Sequence, residues 1–265
     1  MKLWYQSLAR QTESTPYGEM LRRVIDSACD HGTTVHMQGV RESAGIGVHY
    51  RFLEFHDTRE VIYNAMQAER EGFDAFLIGN ISDAGIREAR EVVNIPVLGL
   101  CETSLHIASM MGANFSLVTI SDKWTPRLIE NVTRYGLEKR LCAIEAMDTS
   151  PLDLKRCFVE PEHMKFIFEQ FNACAARLLA KGTEVIIPAG GDIIVFLADG
   201  GIYEYERAPI LNGIVELVKM GELAVKLRRR TGRFTSKRGG YASPGGDFLE
   251  RIRDHYGADV YPNAK

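Results

Sequence analysis

The chain reads as an α/β protein made of two similar lobes, each a parallel sheet with helices, facing one another across a cleft. Three observations predict this. Short β-rich runs alternate with longer amphipathic segments as far as about residue 230. The strand segments, such as "FDAFLIGN" (73–80) and "TEVIIPAG" (183–190), are continuously apolar, as expected of parallel strands covered on both faces. The two halves also repeat each other in order.

Taken in sequence, "KLWYQS" (2–7) is the first strand, a helical pattern follows around 16–31, and "TTVHMQGV" (33–40) is the second strand. A glycine-containing loop is expected through 41–56. A helix follows at about 58–71, where Ile62, Ala65, Met66 and Glu69 fall at helical spacing. Strand 73–80, helix "AGIREAREVV", strand "IPVLGL" (95–100) and helix "TSLHIASMMG" come next, with Gly112 at the C′ position that glycine favours. The second half runs "FSLVTIS" (115–121), helix 125–136, "CAIEAMD" (142–148), helix 161–181, "TEVIIPAG", "APILNG" (208–213) and a last helix to about 230. The repeats align Ser7 with Ser121, "TTVHMQG" with "CAIEAMD", Asn80 with Gly190 and Pro96 with Pro209, at offsets between 109 and 114 residues. The expected division is 1–112 with 209–230 as lobe one, 113–208 as lobe two, and 231–265 as a C-terminal arm.

Composition narrows the class. A net charge of −3 gives no global attraction to nucleic acid or an anionic membrane. No apolar run approaches the ~20 residues of a membrane span, and "MKLWYQSLARQ" lacks the apolar stretch of a signal peptide. Cys29, Cys101, Cys142, Cys157 and Cys174 are odd in number and widely spaced, so neither a disulfide framework nor a zinc site is predicted. The expectation is a reduced, cytoplasmic protein with no metal. Past residue 228 the chain turns basic and Gly-rich, "DFLERIRDHY" suits a short helix, and Phe234, Tyr241, Phe248 and Tyr256 call for burial. An arm docking on a neighbouring subunit, hence a homo-oligomer, is expected in preference to a nucleic-acid role.

In open parallel sheets ligands bind beyond the carboxyl ends of the strands. That rule alone selects Gln6 and Ser7, Arg41 to Gly47, Asn80 to Asp83, Cys101 to Ser104, Thr119 to Ser121, Ala189 to Asp192, and Asn212.

Over about residues 1–230, "FLIGN" with "SDAG", "IPVLGL" with the following Glu102, Ser104 and His106, "LVTIS", "VIIPAGG" and "APILNGIVELVKMGELAV" resemble the aspartate/glutamate/hydantoin racemase superfamily. The resemblance implies two flavodoxin-like lobes related by a pseudo-twofold axis, with a cofactor-independent site between them. It also implies a cysteine at the end of the third strand of each lobe, one thiolate removing an α-proton and the other thiol returning one. This chain departs from that pattern. The first position holds Asn80, and the second falls at Gly190 or Ala189. None of these exchanges a proton near neutral pH.

What remains is a cleft suited to carboxylates and carbonyls. Ser7, Ser82, Thr119 and Ser121 offer hydroxyls at strand ends, where their plainer use is to cap the next helix. Gly190 and Gly191 open backbone N–H groups to an anion. Asn80 is a further donor for a developing oxyanion. Cys101 and Asp192 are the candidate proton carriers; the plainer readings are an inert buried thiol and an exposed cap. Glu102 sits where the resembling family carries a glutamate. Asp83 is expected to accept N–H groups in its own turn. Arg41 and His49, in the loop 41–56, are candidates to clamp a substrate carboxylate. The expected activity is isomerase-like chemistry at the carbon beside a carboxylate or carbonyl of a small amino-acid-like, hydantoin-like or dicarboxylate substrate, with no cofactor. The alternatives are a decarboxylase, lyase or hydrolase on the same scaffold, or a non-catalytic protein that binds small anions.

Overall fold

The structure, a computed structural model, describes residues 1–10, 15–41 and 49–264. Its first sheet contains β1 (Lys2–Arg10), β2 (Thr34–Val40), β3 (Ala75–Ile78) and β4 (Val97–Gly99), in the order β2-β1-β3-β4 and parallel throughout. The second contains β5 (Phe115–Thr119), β6 (Leu141–Ala146) and β7 (Val185–Pro188), in the order β6-β5-β7 and again parallel. A parallel bridge between Ile186 and Ile210 adds the counterpart of β4 at its edge. The two sheets therefore share one topology, and the fold is α/β with two lobes.

The helices are α1 (Pro16–Ala28), α2 (Arg51–Arg70), α3 (Ile86–Val92), α4 (Leu100–Met111), α5 (Thr125–Arg134), α6 (Pro151–Arg156), α7 (Met164–Ala180), α8 (Gly191–Asp199), α9 (Gly213–Thr231) and α10 (Asp247–Tyr256). A short hairpin, β8 (Glu204–Tyr205) and β9 (Ala208–Pro209), precedes α9. Local chemistry explains the starts and stops. Thr15 caps α1 by accepting the Gly18 N–H at 3.1 Å, with Pro16 in the first helical turn. Ser150 and Asp153 form a reciprocal capping box on α6. Asn212 caps α9, which closes on Gly232 at φ 83° after three arginines.

Successive residues of β1 face opposite ways. Leu3 and Tyr5 join the large core shared with lobe two, whereas Trp4 joins the smaller core under α2 and α3. α9 returns to lobe one, where Gly221 lets it approach Leu77 and Leu3; a Cβ there would come within 2.8 Å of Leu77. Ile210, just before α9, bridges to Ile186 of β7.

The structure revises several expectations. α2 begins at Arg51, so the second part of the expected loop is helical, while residues 42–48 lie outside the described residues. Gly112 is extended (φ −150°), not left-handed; a Cβ there would meet Val185 at 2.9 Å and Glu184 at 3.0 Å. α6 and α8 were not anticipated. The ladders also refine the repeat. Gly79 N–H donates to Gln6 O as Ala189 N–H donates to Val118 O, which keeps Asn80 opposite Gly190 but matches Ser7 to Thr119 rather than Ser121. By the same registers Gln38 matches Glu145. Both shifts are two residues, so every side chain keeps its face.

The C-terminal arm folds back on its own lobe one. Lys237 Nζ donates to Arg90 O and Glu91 O (2.6 and 2.7 Å), Ser243 Oγ to Glu91 O, and Tyr261 Oη to Glu91 Oε1. Phe234 packs on the main core and Leu249 is buried, whereas Phe248 and Tyr256 stay about three-quarters exposed. No helix among the described residues is long and apolar enough to cross a membrane.

Candidate active site

The exits of β1, β3 and β7 open into one cavity of about 540 Å³. Lobe one contributes Ser7 to Arg10 from the end of β1, Thr15 to Tyr17 at the start of α1, and Gly79 and Asn80 after β3. Lobe two contributes Lys155, Phe158 and Val159 from the end of α6, and Gly191 and Asp192 from the start of α8.

Glycine at position 79 is a packing requirement. Its Cβ would collide with the buried ring of Tyr5, whose hydroxyl donates to Gly79 O at 3.4 Å. The chain then turns through Asn80, whose Oδ1 accepts from Ser82 N–H (2.9 Å) and Ser82 Oγ (2.7 Å). A backbone N–H can only donate, so the amide orientation is fixed and the Nδ2 hydrogens are what Asn80 offers a ligand. Across the cavity, Gly190 precedes α8 with an extended backbone (φ −175°) and no side-chain cap on the helix. The first N–H groups of α8 are therefore available to an acceptor.

Asp192 is half-buried in the cavity wall. Burial pushes its carboxyl up to about 6, with the Lys155 ammonium pulling the other way. It is the one carboxyl among the described residues that line the cavity. Such a group is ionised in part at mild acidity and takes or gives a proton near neutral pH. Ser7 Oγ accepts the Ala9 N–H at 3.0 Å and neighbours the Tyr17 hydroxyl.

Of the residues singled out from sequence, Ser7, Asn80, Gly191 and Asp192 line this cavity, and Gly190 lies at its edge in the strand-to-helix turn. Ser82 lies behind, holding Asn80. Cys101 is wholly buried at the base of α4, with burial and the neighbouring Asp83 pushing its thiol well above the ordinary range. Glu102 is held bidentately by Arg90, one bond being 3.0 Å. Thr119 is buried, its Oγ1 without a partner among the described residues, and Ser121 precedes the turn leading to α5. Arg41 lies away from this cavity, in a depression lined otherwise, among the described residues, by α2 alone, with its N–H on Glu60. His49 Nδ1 accepts from Trp124 Nε1 at 3.0 Å, and burial with nearby Arg127 lowers its pKa. Asp83 accepts from Cys101 N–H, Glu102 N–H and Tyr135 Oη (2.9, 2.8 and 2.6 Å), so it caps α4 rather than its own turn. Among the described residues no cluster of three metal-ligating side chains occurs.

Tyr17, Lys155, Phe158 and Val159 were missed. Tyr17 was legible, since "TPY" starts a helix directly after a strand exit and such a position faces the cleft. The other three hang on α6, whose Ser-Pro-x-Asp cap is a readable signal.

Comparison with known proteins agrees with this fold. The Asp/Glu/Hydantoin racemase family model matches residues 55–220. Over 178 residues the chain is 32% identical to a hydantoin racemase of a Pseudomonas species, covering 64% of this chain and 66% of that protein. A hydantoin racemase of Rhizobium meliloti is 28% identical over 185 residues, 67% of this chain and 69% of that one. In three dimensions, allantoin racemase from Pseudomonas fluorescens aligns with a TM-score of 0.76 at 22% identity, covering 93% of this chain and 98% of that one. With a family model that spans well over half of its length, this chain belongs to the Asp/Glu/hydantoin racemase family.

Proposed function

We propose that this protein is a cofactor-independent enzyme acting on the carbon beside a carboxylate or carbonyl of a small hydantoin-like, amino-acid-like or dicarboxylate substrate, with Asp192 in place of the thiol pair. The observation that carries this reading is the position of Asp192, a carboxyl pushed up to about 6, in the cavity where the strand exits of both lobes meet. In the forward step the Asp192 carboxylate takes the α-proton, and the electron pair moves into the adjacent C=O. Asn80 Nδ2–H and the open N–H groups of α8 stabilise the oxyanion. In the return step the same carboxyl gives the proton back. One base works from one face, so exchange of the α-hydrogen outpaces loss of handedness.

Loss of a carboxylate instead of a proton would leave the same carbanion, which protonated Asp192 then quenches. A carboxyl near 6 exists in both forms around pH 6, which supports keeping α-substituted malonates among the candidates. The test is incubation in D₂O with 5-substituted hydantoins, N-carbamoyl and free amino acids, and α-substituted malonates, followed by mass spectrometry and polarimetry. Wild-type protein is expected to incorporate deuterium or release CO₂, and Asp192→Asn to do so at least ~100-fold more slowly. Turnover of none of them, or equal turnover by the variant, overturns the proposal.

A further inference from the structure

Gly190 and Gly191 are adjacent glycines with different reasons to be glycine. A Cβ on Gly190 would make only ordinary contacts, the nearest being Ile120 Cγ2 at 3.6 Å. A Cβ on Gly191 would stand 2.7 Å from the hydroxyl oxygen of Tyr17. Tyr17 belongs to α1 of lobe one, so its phenol crosses the cavity and enters the hollow left by the missing side chain in lobe two.

We propose that Tyr17 is a substrate-binding hydrogen-bond donor of this site, its hydroxyl held over Gly191 and directed at a carbonyl or carboxylate oxygen of the bound molecule. This rests on the reading of the cavity as the active site. Ser7 Oγ takes the Ala9 N–H on a lone pair and keeps its own proton, which can turn toward the neighbouring Tyr17 oxygen. The phenolic proton is free to turn into the cavity that Tyr17 lines. The backbone of α8 beside it presents N–H groups, which are donors themselves. No hydrogen bond joins Tyr17 to the nearby Asp192 carboxyl among the described residues, so an acceptor brought in by a ligand can take the phenolic proton. Burial, Tyr5 and Asp192 all hold the phenol in its neutral form, which suits a donor that does not give up its proton. The ring also stacks edge-on with Phe158, centroids 6.1 Å apart, which limits its swing. A substrate oxygen lodged here is met by Tyr17 from lobe one and by the start of α8 from lobe two.

Two measurements test this. The first needs no substrate. Gly191→Ala is expected to lower Tm in the wild-type background and to be nearly neutral in Tyr17→Phe, because without the oxygen the nearest Tyr17 atom is Cζ at 3.5 Å. Equal effects in the two backgrounds would show that the contact is absent and overturn the proposal. The second compares wild type and Tyr17→Phe in calorimetric binding and D₂O exchange with 5-substituted hydantoins and α-substituted malonates. Tyr17→Phe is expected to weaken binding about tenfold and slow exchange about 100-fold, with Tm within about 2 °C of wild type. Exchange by wild type matched by Tyr17→Phe overturns the role of Tyr17 and leaves the proposed function standing. Binding without turnover, weakened in Tyr17→Phe, supports the donor and overturns the proposed function. A wild type that neither binds nor turns over any of these compounds overturns both.

Discussion

Asp192 carries a signature that separates it from an ordinary exposed acid. A carboxyl raised to about 6 favours the protonated form in the folded state relative to an ordinary carboxylate near 4. Its contribution to stability is therefore fully present below the ordinary range and is lost as pH rises through about 6. Asp192→Asn should accordingly gain stability over wild type, by roughly 1–2 kcal/mol at pH 7 and much less at pH 4, since partial solvent contact softens the full shift. Urea melts at the two pH values measure this. A gain at pH 7 no larger than that at pH 4 would mean that the group is not desolvated. Activity should run the other way, rising with pH through about 6 as the base ionises, and Asp192→Asn should remove that limb. Glycine replacements sharpen the picture at the same scale. Gly79→Ala drives a Cβ into the buried Tyr5 ring and should cost about 2–3 kcal/mol. Gly190→Ala meets no close atom at an ordinary extended φ and should change stability by less than about 1 kcal/mol. Thermal melts of the pair give the contrast directly.

At the scale of elements, Asp83 shows how one residue shapes a strand, a turn and a helix. It holds φ 51°, a strained value for a non-glycine residue, and its carboxylate spans the first N–H groups of α4. Burial pushes the carboxyl up to about 7 against the Tyr135, Cys101 and Glu102 hydrogen bonds, which favour the ionised form. Asp83→Asn would turn one acceptor oxygen into an NH₂ group facing a donor, with an expected loss of about 2 kcal/mol in chemical denaturation. A loss under 0.5 kcal/mol would refute the cap. The same residue marks what was legible. Strand cores, the parity of each strand and the opposition of Asn80 and Gly190 follow from apolar runs and period, which are local properties. Asp83 was read as a turn residue because its partners lie 18 and 19 positions away, and no local pattern encodes them. Cys101 and Glu102 looked well placed for the same reason: a strand exit was visible, but the cap and the Arg90 pair that occupy it were not. α8 was overlooked because "GGDIIVFLAD" is apolar all round, the signature of a buried segment of either kind. Registers slipped by two because alternation fixes parity but not which pair of equal parity aligns.

For the whole molecule, the positions of Asn80 and Asp192 depend on how the two lobes are seated. α5 of lobe two holds the Asn80 turn of lobe one directly, Asn131 Nδ2 donating to Ile81 O at 3.0 Å and Ser82 O at 3.3 Å. Two ion pairs fix α5 against α2 beside that contact. Arg51 meets Glu130 through two bonds of 2.9 and 2.8 Å, but both side chains are more than half exposed. Glu54 meets Arg127 with both side chains largely buried, and Arg127 also lies over the Trp124 ring at 4.7 Å. Exposed pairs contribute little because water and salt screen them. Removing one partner of a buried pair strands a charge in low dielectric, and that costs several kcal/mol. Arg51→Ala should therefore lower unfolding stability by less than about 1 kcal/mol, whereas Glu54→Gln should lower it by roughly 3 kcal/mol. Glu54→Gln combined with Arg127→Met should recover part of that loss, because the stranded charge is gone. If the seam sets the cleft, Glu54→Gln should also weaken substrate binding at temperatures where the variant remains folded, because the Asn80 turn loses the support of α5. Urea titrations of the four proteins, with binding measured on the folded fraction, decide it. Equal costs for the exposed and buried pairs, or full-strength binding by Glu54→Gln, would place the control of the cleft elsewhere than in this seam.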